Sequence, residues 1–368
     1  MKVEAAVTRA KAAPMSLETI ELEAPRMDEI LVKLVATGVC HTDIAMRDQA
    51  FPVPQPIVLG HEGAGVVAVV GGAVTKVKPG DRVVMTFNSC GHCPSCTDHA
   101  PTYCYDFFGY NFAGSRPDGS SPLSKEGQPI HGNFFGQSSF ASHAICHERN
   151  VVKVPDDVPL ELLGPLACGI QTGTGSIINS LKVGMGDTLA VFGVGSVGLS
   201  AIMAARLVGA VTIIAVDLVD ARLSLASELG ATHIVNGRSS NTVEEIRKIT
   251  GGAGVDYTFE TTGVIPVLRQ AIDALAPRGT CGFVGASPAG SEVAVNVTDI
   301  MTAGRKIQGI VEGESNPDLF IPLMIEFYKQ GRFPFDKLIS FYPFERINDA
   351  IQDSESGKAV KPVVRFPQ

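Results

Sequence analysis

The segment Gly193-Val194-Gly195-Ser196-Val197-Gly198 decides the fold of this chain, because it separates an apolar run from a run of small residues. Residues 188–192 (Thr-Leu-Ala-Val-Phe) are typical of a buried strand, and residues 199–205 (Leu-Ser-Ala-Ile-Met-Ala-Ala) favour a helix. In such a unit, the first glycine permits the tight turn, the second admits a pyrophosphate and the third allows close helix–strand packing. The helix N-terminus, at Ser196 and Val197, offers free N–H groups and a positive dipole to phosphates. The segment predicts a dinucleotide site, and the alternative is an ordinary glycine turn of an α/β protein.

A single acidic residue, Asp217, predicts which dinucleotide would bind. It follows Gly198 by 19 residues, at the end of a second β-branched run over residues 212–216. A carboxylate there accepts hydrogen bonds from the adenosine ribose and repels a 2′-phosphate. The spacing therefore predicts NAD rather than NADP.

Two kinds of sequence pattern divide the chain. Residues 1–150 contain short, β-branched runs bounded by turn residues, which predicts a β-rich domain. From Thr188 onward, strand patterns alternate with helical ones, which indicates βαβ units on a parallel sheet. Residues 107–133 are rich in Gly, Ser and Pro, and we expect surface loops there. The segment after residue 311 is too short for a third domain, so we expect it to complete the first.

Composition excludes several classes of protein. A chain of 368 residues with 45% hydrophobic and 18% charged residues is typical of a globular protein with two domains. A net charge of −8 argues against a nucleic-acid partner, which requires a basic face. No apolar run reaches the roughly 18–20 residues of a membrane span. The first 30 residues carry charges and no signal-peptide core, so we expect a cytoplasmic protein.

Four of the eight cysteines lie within one short segment, at Cys90, Cys93, Cys96 and Cys104. Four thiolates at this spacing can bind one tetrahedral zinc ion and leave no position for a substrate, so the pattern predicts a structural zinc site. Buried or disulfide-bonded cysteines are one alternative. A nucleic-acid-binding zinc ribbon is another, but residues 90–105 contain neither Lys nor Arg.

Other potential metal ligands are dispersed through the sequence. Cys40, the pair His61–Glu62 and Cys168 are far apart, and spacing alone does not join them. Taken singly, each would be interpreted as a buried cysteine or a core histidine.

Several motifs nevertheless occur together and in order. They are Gly38-x-Cys40-x-Thr42-Asp43, Gly60-His61-Glu62-Gly63-x-Gly65, the four-cysteine segment and the glycine turn. With these motifs the chain resembles, over its whole length, the zinc-dependent medium-chain alcohol dehydrogenases. Stretch 35–43 is typical of the family at large, and stretches 135–141, 309–313 and 333–339 together are most similar to the aryl-alcohol (benzyl alcohol) branch.

The resemblance implies an α/β protein with two domains. A GroES-like, β-rich catalytic domain would span residues 1–169 and 312–368, with a structural zinc lobe at about 88–106. A Rossmann domain with a doubly wound parallel sheet would bind NAD through residues 170–311. The implied oligomer is a homodimer or homotetramer formed edge to edge through coenzyme domains, and residues 293–297 followed by Ile300 are a candidate edge strand.

The resemblance also implies a second, catalytic zinc held by Cys40, His61 and Cys168, with Glu62 as an occasional ligand or close neighbour. Asp43 would orient His61. The zinc would act as a Lewis acid on an alcohol oxygen. Thr42 would accept the hydroxyl proton and pass it to the nicotinamide ribose.

Two positions depart from the family pattern. Ala45 occupies the place where many relatives have a proton-relaying histidine, so either water or His41 would complete the path. His41 occupies the place of an arginine that contacts the coenzyme diphosphate, and a neutral histidine there would favour faster NADH release. Arg222 and Thr172 are further coenzyme candidates by resemblance, and Arg222 is alternatively a solvated helix charge.

The substrate assignment rests on the resemblance to the aryl-alcohol branch. Phe87, Phe140 and Ala286 are the expected pocket residues, because aromatic walls can stack on a benzyl ring. With 18 Phe and no Trp, however, any pocket of this chain would contain phenylalanine. We therefore expect reversible oxidation of a small primary aromatic alcohol to its aldehyde, with aliphatic or glutathione-adduct alcohols as alternatives. A non-enzymatic zinc scaffold would require a basic surface and the loss of a catalytic ligand.

Overall fold

The computed structural model describes residues 1–367, which form two compact units. Unit 1 comprises Met1–Cys168, Asn316–Lys329 and the C-terminal segment from Asp336. Unit 2 comprises Gly169–Ser315 and Gln330–Phe335. Among residues 1–367, no helix has both the length and the apolar character needed to cross a bilayer.

The strands of the described chain are short and most are bounded by turns. In chain order they are β1 Lys2–Thr8, β2 Ser16–Leu22, β3 Glu29–Gly38, β4 Ile57–Val58, β5 Gly63–Val70, β6 Arg82–Met85, β7 Leu123–Lys125, β8 Gln128–Ile130, β9 His143–His147, β10 Val151–Lys153, β11 Thr188–Phe192, β12 Thr212–Asp217, β13 His233–Asn236, β14 Val255–Glu260, β15 Leu275–Phe283, β16 Lys306–Gly309, β17 Ile339–Pro343 and β18 Lys361–Arg365.

The α-helices are concentrated in the second half of the sequence. They are α1 His41–Arg47, α2 Pro94–Thr97, α3 Phe107–Phe112, α4 Gly169–Gly175, α5 Ser196–Val208, α6 Asp220–Leu229, α7 Thr242–Ile249, α8 Ile265–Asp273, α9 Val297–Ala303, α10 Pro317–Lys329 and α11 Ile347–Glu355. Short 3-10 turns include Phe134–Gly136, Gly164–Ala167 and Glu312–Glu314.

Unit 1 is built on two sheets. One has five strands in the order β4-β1-β2-β7-β8, and the other has seven, in the order β10-β6-β5-β3-β18-β17 with β9 also paired to β3. The C-terminal strand β18 lies antiparallel to β3, with Val363 opposite Gly38. The backbone N–H of Val39 donates to the carbonyl of Pro362 at 2.9 Å, which brings the C-terminal strand to the residue before Cys40. Apolar side chains from both sheets share one buried core.

Unit 2 has a parallel sheet of six strands in the order β13-β12-β11-β14-β15-β16. Helices connect most successive strands, so the sheet has the alternating topology expected from the sequence. The strand order reverses direction between β11 and β14, which is where doubly wound folds bind their ligands. The glycine turn follows β11 and therefore lies at this point.

Two local expectations are wrong. The surface loops predicted for residues 107–133 are interrupted by α3, β7 and β8: Phe107 and Phe112 of α3 pack against the core of unit 1, and β7 pairs with β2 and β8. Residues 293–297 do not form an edge strand, since Val297 already begins α9. Asn296 causes this change: its side chain accepts hydrogen bonds from the N–H groups of Thr298 and Asp299 at 3.1 and 3.3 Å and caps the helix. The edge strand next to β15 is β16.

Candidate active site

Asp43 organises the first part of the site. Strand β3 ends at Gly38 and α1 begins at His41, so that Cys40 lies at the helix N-cap. The Asp43 carboxylate turns back and accepts the Cys40 N–H at 3.0 Å through Oδ2. Its other oxygen, Oδ1, accepts the Gly60 N–H at 3.0 Å and faces Nδ1 of His61 at 2.9 Å. Asp43 is fully buried and joins the two segments that carry Cys40 and His61.

The orientation of His61 suits a metal ligand. A carboxylate oxygen can only accept a hydrogen bond, so Nδ1 of His61 carries the proton that it shares with Asp43. The opposite nitrogen, Nε2, is buried and has no hydrogen-bond partner among the described residues. A buried polar atom without a partner is costly unless something else binds it. Nε2 is therefore placed as a metal-ligating atom would be: it is buried, it lies opposite the nitrogen that faces Asp43, and no hydrogen bond occupies it.

Four side chains converge around this nitrogen. Ligand atoms of Cys40, His61, Glu62 and Cys168 all lie within 4.8 Å of one another. Cys168 reaches the cluster at the end of the Gly164–Ala167 turn, where a Cβ on Gly164 would lie 2.2 Å from the Glu62 carbonyl oxygen. Two sulfurs and one imidazole are the donor set of a catalytic zinc site that keeps one position open. The residues present therefore fit a zinc ion.

Electrostatics in the cluster favour thiolates and a cation. The hydrogen bond with Cys168, together with His61 and Lys361, lowers the pKa of Cys40 well below its ordinary value, although burial opposes this. Burial lowers the pKa of His61, but the Asp43 carboxylate and Cys40 raise it more, so the net shift is upward. The lowered pKa of Cys40 favours its thiolate, and the raised pKa of His61 favours a cation on the imidazole. The surroundings of the cluster therefore stabilise a positive charge, whether it is a proton or a metal ion.

Glu62 forms a buried ion pair with a lysine from the C-terminal strand. Lys361 Nζ donates to Oε1 and Oε2 of Glu62 at 2.8 and 2.9 Å, and both side chains are at most 1% exposed. Burial lowers the pKa of Lys361, but Glu62 and the sulfurs of Cys40 and Cys168 raise it more, so the lysine is held as an ammonium. Burial also raises the pKa of Glu62, against the effect of Lys361.

An aromatic cluster begins at the His61 ring. The Phe135 ring stacks on the imidazole with centroids 4.5 Å apart, and the Phe134 ring meets it edge-on at 5.6 Å. Phe135 also contacts the rings of Phe112 and Phe107, at 5.0 and 6.5 Å. Its backbone has φ of +49°, a conformation that costs a bulky residue energy and therefore indicates a positional requirement.

The expected pocket residues lie in different places. Phe87 is buried and joins the aromatic cluster through Phe107, with centroids 5.9 Å apart. Phe140 is fully buried in the core of unit 1, where its ring would touch a Cβ placed on Gly60. Ala286 belongs to unit 2 and is exposed.

The residues assigned to proton transfer lie at the start of α1. The hydroxyl of Thr42 is 3.6 Å from the Cys40 sulfur. His41 is exposed, and Ala45 is partly buried against the core. Thr42 is therefore close to the ligand cluster, and His41 is open to solvent.

The four-cysteine segment forms a second cluster. The sulfurs of Cys90, Cys93, Cys96 and Cys104 lie within 4.8 Å of one another, and all eight cysteines are free of disulfide bonds. Backbone N–H groups point at these sulfurs: that of Cys93 is 3.2 Å from the Cys90 sulfur, and that of Tyr105 is 3.5 Å from the Cys93 sulfur. The Tyr105 N–H lowers the pKa of Cys93 to about 6, which favours the thiolate that a metal binds. The donor set fits a closed zinc site.

In unit 2, the glycine turn has the geometry that a pyrophosphate site requires. Gly193 has φ of +85°, and a Cβ on Gly198 would lie 2.0 Å from the Gly193 carbonyl oxygen. Gly195, by contrast, would have nothing within 4 Å of a Cβ, so its backbone faces open space. Gly195 is the N-cap residue of α5 and has no side chain that could bond to the first helical N–H groups. The N–H groups of Ser196 and Val197 are therefore available to a phosphate.

Asp217 faces the glycine turn from the end of β12. Its Oδ2 accepts the Val194 N–H at 2.8 Å, and its Oδ1 accepts the N–H groups of Leu218 and Val219 at 2.7 and 3.0 Å. These bonds fix the carboxylate beside the turn and leave acceptor capacity on Oδ2, which accepts only one of them. Arg222 follows in the first turn of α6, where its Nε is buried without a hydrogen-bond partner among the described residues.

Thr172 contacts a buried glutamate, Glu312. The Glu312 carboxylate accepts from Gln171 Nε2 at 3.1 Å and from the Thr172 hydroxyl at 3.4 Å. Glu312 is buried, with φ of +49°. All three residues belong to unit 2.

Sequence reasoning missed Lys361 and the stacking role of Phe135. A lysine between Val360 and Pro362–Val364 in an apolar C-terminal strand was a signal that a buried partner existed. No comparable signal marked Phe135, because its contact with His61 depends on a non-local packing arrangement.

Two family models match the chain. One, described as an alcohol dehydrogenase GroES-like domain, matches residues 26–156. The other, described as a zinc-binding dehydrogenase, matches residues 196–330.

Individual proteins are similar over the full length. A geraniol dehydrogenase from Castellaniella defragrans is 46% identical over 367 residues, covering 100% of this chain and 98% of the relative. The crystal structure of benzyl alcohol dehydrogenase from Acinetobacter calcoaceticus has a TM-score of 0.97 and 46% identity, with 100% of both chains covered. The crystal structure of an alcohol dehydrogenase zinc-binding domain protein from Burkholderia ambifaria has a TM-score of 0.98 and 54% identity, again with 100% of both chains covered.

Proposed function

The chain belongs to the zinc-dependent medium-chain alcohol dehydrogenases, and we propose that it reversibly oxidises a primary aromatic alcohol of the benzyl type to its aldehyde, with hydride transfer to NAD. The observation that carries this proposal is the cluster of Cys40, His61 and Cys168, with the buried, unpartnered Nε2 of His61 facing into it. The similarity to a crystallised benzyl alcohol dehydrogenase, over 100% of both chains, supports an aromatic substrate.

Cys40, His61 and Cys168 would hold the catalytic zinc, and the four cysteines of residues 90–104 would hold a structural one. Bound zinc supplies Lewis-acid chemistry that lowers the pKa of an alcohol hydroxyl. Asp43 keeps His61 in the tautomer that presents Nε2 to the metal. Thr42 is the proposed acceptor of the hydroxyl proton, at Oγ1, because its side chain lies beside Cys40.

The coenzyme assignment depends on unit 2. The uncapped N-terminus of α5 and the open space at Gly195 would accommodate the pyrophosphate. The fixed carboxylate of Asp217 would accept hydrogen bonds from the ribose hydroxyls and disfavour a 2′-phosphate. These features support NAD, with Arg222 and Thr172 as further coenzyme-binding residues and with residues 170–311 as the coenzyme domain.

The main alternative to a benzyl-type substrate is a non-aromatic primary alcohol. The relative with 46% identity is named a geraniol dehydrogenase, and geraniol contains no aromatic ring. Phe107 is only partly buried and meets the ring of the buried Phe135 edge-on, and an aromatic ring of this kind stacks on a planar benzyl group better than on a flexible chain. This difference favours the benzyl class as the proposal and makes the allylic class the alternative.

A homo-oligomer is part of the same proposal. Strand β16 is paired only with β15 in the sheet order, and β16 and the adjacent helix α9 carry exposed apolar side chains, at Ile307, Val297 and Met301. An unpaired strand edge with apolar neighbours is suited to pairing with a second copy. The cytoplasmic location stays a prediction.

The decisive experiment measures kcat/KM with NAD for benzyl alcohol, geraniol and hexanol, on protein with two zinc ions per chain confirmed by metal analysis. A preference for benzyl alcohol over hexanol of about a hundredfold, or about 2.7 kcal/mol in the transition state, would support the aromatic assignment. Equal rates for geraniol and benzyl alcohol would contradict the benzyl class and leave the zinc chemistry intact. Cys168→Ser serves as a control that should abolish turnover with every alcohol.

A further inference from the structure

The ion pair between Glu62 and Lys361 is unusual because it is buried next to a metal-ligand cluster. Both carboxylate oxygens accept from the ammonium, at 2.8 and 2.9 Å. Lys361 also donates to the Val39 carbonyl at 3.4 Å, so the ammonium is held from two sides. Removing two charges from water is expensive, and losing either partner would leave the other charge buried and uncompensated.

The surrounding backbone makes room for the pair. A Cβ on Gly38 would lie 1.9 Å from Oε2 of Glu62, so any larger residue at the end of β3 would displace the carboxylate. Lys361 enters from β18, which lies antiparallel to β3. The position of the carboxylate is therefore set by three separate segments, which contribute Gly38, Glu62 and Lys361.

The carboxylate is also near enough to the other ligands to compete for a metal. One Glu62 oxygen lies within 4.8 Å of the ligand atoms of Cys40, His61 and Cys168. Carboxylates bind zinc readily, and a fourth protein ligand would close the position that a substrate oxygen needs. The position stays open to a substrate only while the Glu62 carboxylate is held away from the metal.

We propose that Lys361 is a positioning residue: it holds the Glu62 carboxylate beside the catalytic zinc but off it, and so keeps the fourth ligand position open for the alcohol. The inference rests on the proposed function, since it requires a zinc ion at Cys40, His61 and Cys168. A purely structural role for Lys361 would be to join β18 to the β3 segment, and the two roles make different predictions about metal coordination.

The test replaces the catalytic zinc by Co2+, whose visible absorption is stronger in four-coordinate than in five-coordinate sites. Lys361→Met removes the ammonium and keeps an unbranched side chain that is one atom shorter. With the ammonium gone, the metal is the nearest strong cation to the buried Glu62 carboxylate. We expect weaker visible bands at the catalytic site and metal release to a chelator slowed by about tenfold or more. The bands of the four-cysteine site should not change and provide an internal reference.

The matched control is the double variant K361M/E62Q. It lacks both charges, so no carboxylate can bind the metal, and its cobalt spectrum should return to that of the original protein. If K361M shows the original spectrum and the original rate of metal release, Lys361 does not hold Glu62 off the metal and the proposal is overturned.

A second variant keeps the proposal testable should K361M fail to fold. Glu62→Gln preserves the shape of the side chain and leaves Lys361 in place. If Glu62 is held off the metal, E62Q should leave the four-coordinate bands unchanged. If E62Q instead strengthens those bands, then Glu62 is already a ligand in the presence of Lys361, which refutes the inference.

The experiment separates this inference from the proposed function. If the original protein binds fewer than two metal ions per chain, the zinc assignment fails and the inference fails with it. If it binds two and oxidises alcohols, but K361M leaves the cobalt spectrum unchanged, only the role of Lys361 is refuted.

Discussion

Asp43→Asn is the change that tests the candidate active site most directly. The two side chains have nearly the same shape, so packing is preserved while one acceptor becomes a donor. In the structure the carboxylate accepts from Cys40 N, Gly60 N and His61 Nδ1, at 3.0, 3.0 and 2.9 Å. An asparagine cannot accept from all three, because its amide nitrogen has no free lone pair.

The size of the effect follows from which donor loses its partner. If the Asn carbonyl takes the Oδ1 position, it keeps Gly60 and His61, and the part-buried Cys40 N–H faces the amide NH2 and loses its acceptor, at a cost of about 1 kcal/mol. If it takes the Oδ2 position, the amide faces His61 and favours the tautomer with a proton on Nε2, which blocks metal binding. Losing the partner that orients a histidine ligand typically lowers metal affinity by about 10- to 100-fold, which corresponds to about 1.4–2.7 kcal/mol.

The assay combines metal analysis with unfolding. D43N is dialysed against a chelator, and the zinc retained per chain is compared with that of the original protein and of D349N. Asp349 is a suitable control because its salt bridge with Arg346 lies on the surface, where such pairs contribute little. We expect D43N to lose the catalytic zinc at chelator concentrations that both other proteins withstand, and to unfold at lower denaturant concentration.

The reasoning would be refuted if D43N kept both metal ions and the free energy of unfolding of the original protein to within about 0.5 kcal/mol. That result would mean that Asp43 neither fixes the His61 tautomer nor joins the two ligand segments. Loss of stability with full retention of zinc would refute only the tautomer argument.

Four other changes have definite expected outcomes. Phe135→Ala removes a buried ring stacked on His61 and should lower the free energy of unfolding by about 3 kcal/mol and reduce the preference for benzyl alcohol over hexanol, whereas the exposed Phe341 tolerates alanine. Gly198→Ala places a Cβ 2.0 Å from the Gly193 carbonyl oxygen, and the Kd for NADH measured by fluorescence should rise by about tenfold or more; a smaller change would contradict the role of the turn. Asp217→Asn should raise kcat/KM with NADP relative to NAD by about tenfold or more, through loss of the charge that repels a 2′-phosphate. Cys96→Ser should leave one zinc per chain and lower the Tm, and retention of two zinc ions would refute the structural site.

The sequence predicts a site most directly where the residues that form the site lie close together in the chain. The glycine turn and Asp217 lie within one βαβ unit, and the four cysteines lie within one short segment, so their spacing already limited what they could form. The structure places Gly193, Gly198 and Asp217 around one turn and brings the four sulfurs within 4.8 Å of one another. Strand and helix patterns are similarly local. They did not predict α9, which Asn296 caps, or α3, which Phe107 anchors to the core, because neither the cap nor the core contact is visible in the pattern.

The cluster of Cys40, His61 and Cys168 could not be predicted from local patterns. Cys40, His61 and Cys168 were joined only through a family resemblance, because nothing in their spacing requires them to meet. In the structure, Asp43 joins the first two segments through three hydrogen bonds, and the turn before Cys168 brings in the third.

By itself, therefore, the sequence determined the elements whose physics is local: the glycine turn between a strand and a helix, the acid that faces this turn, and the group of four neighbouring cysteines. Only the tertiary structure decided that Lys361 lies on Glu62 and that Phe135 stacks on His61. The pairing of β18 with β3 brings together side chains 299 positions apart in the chain. No sequence period records such a contact, because its free energy comes from burial and charge pairing that exist only after the chain has folded.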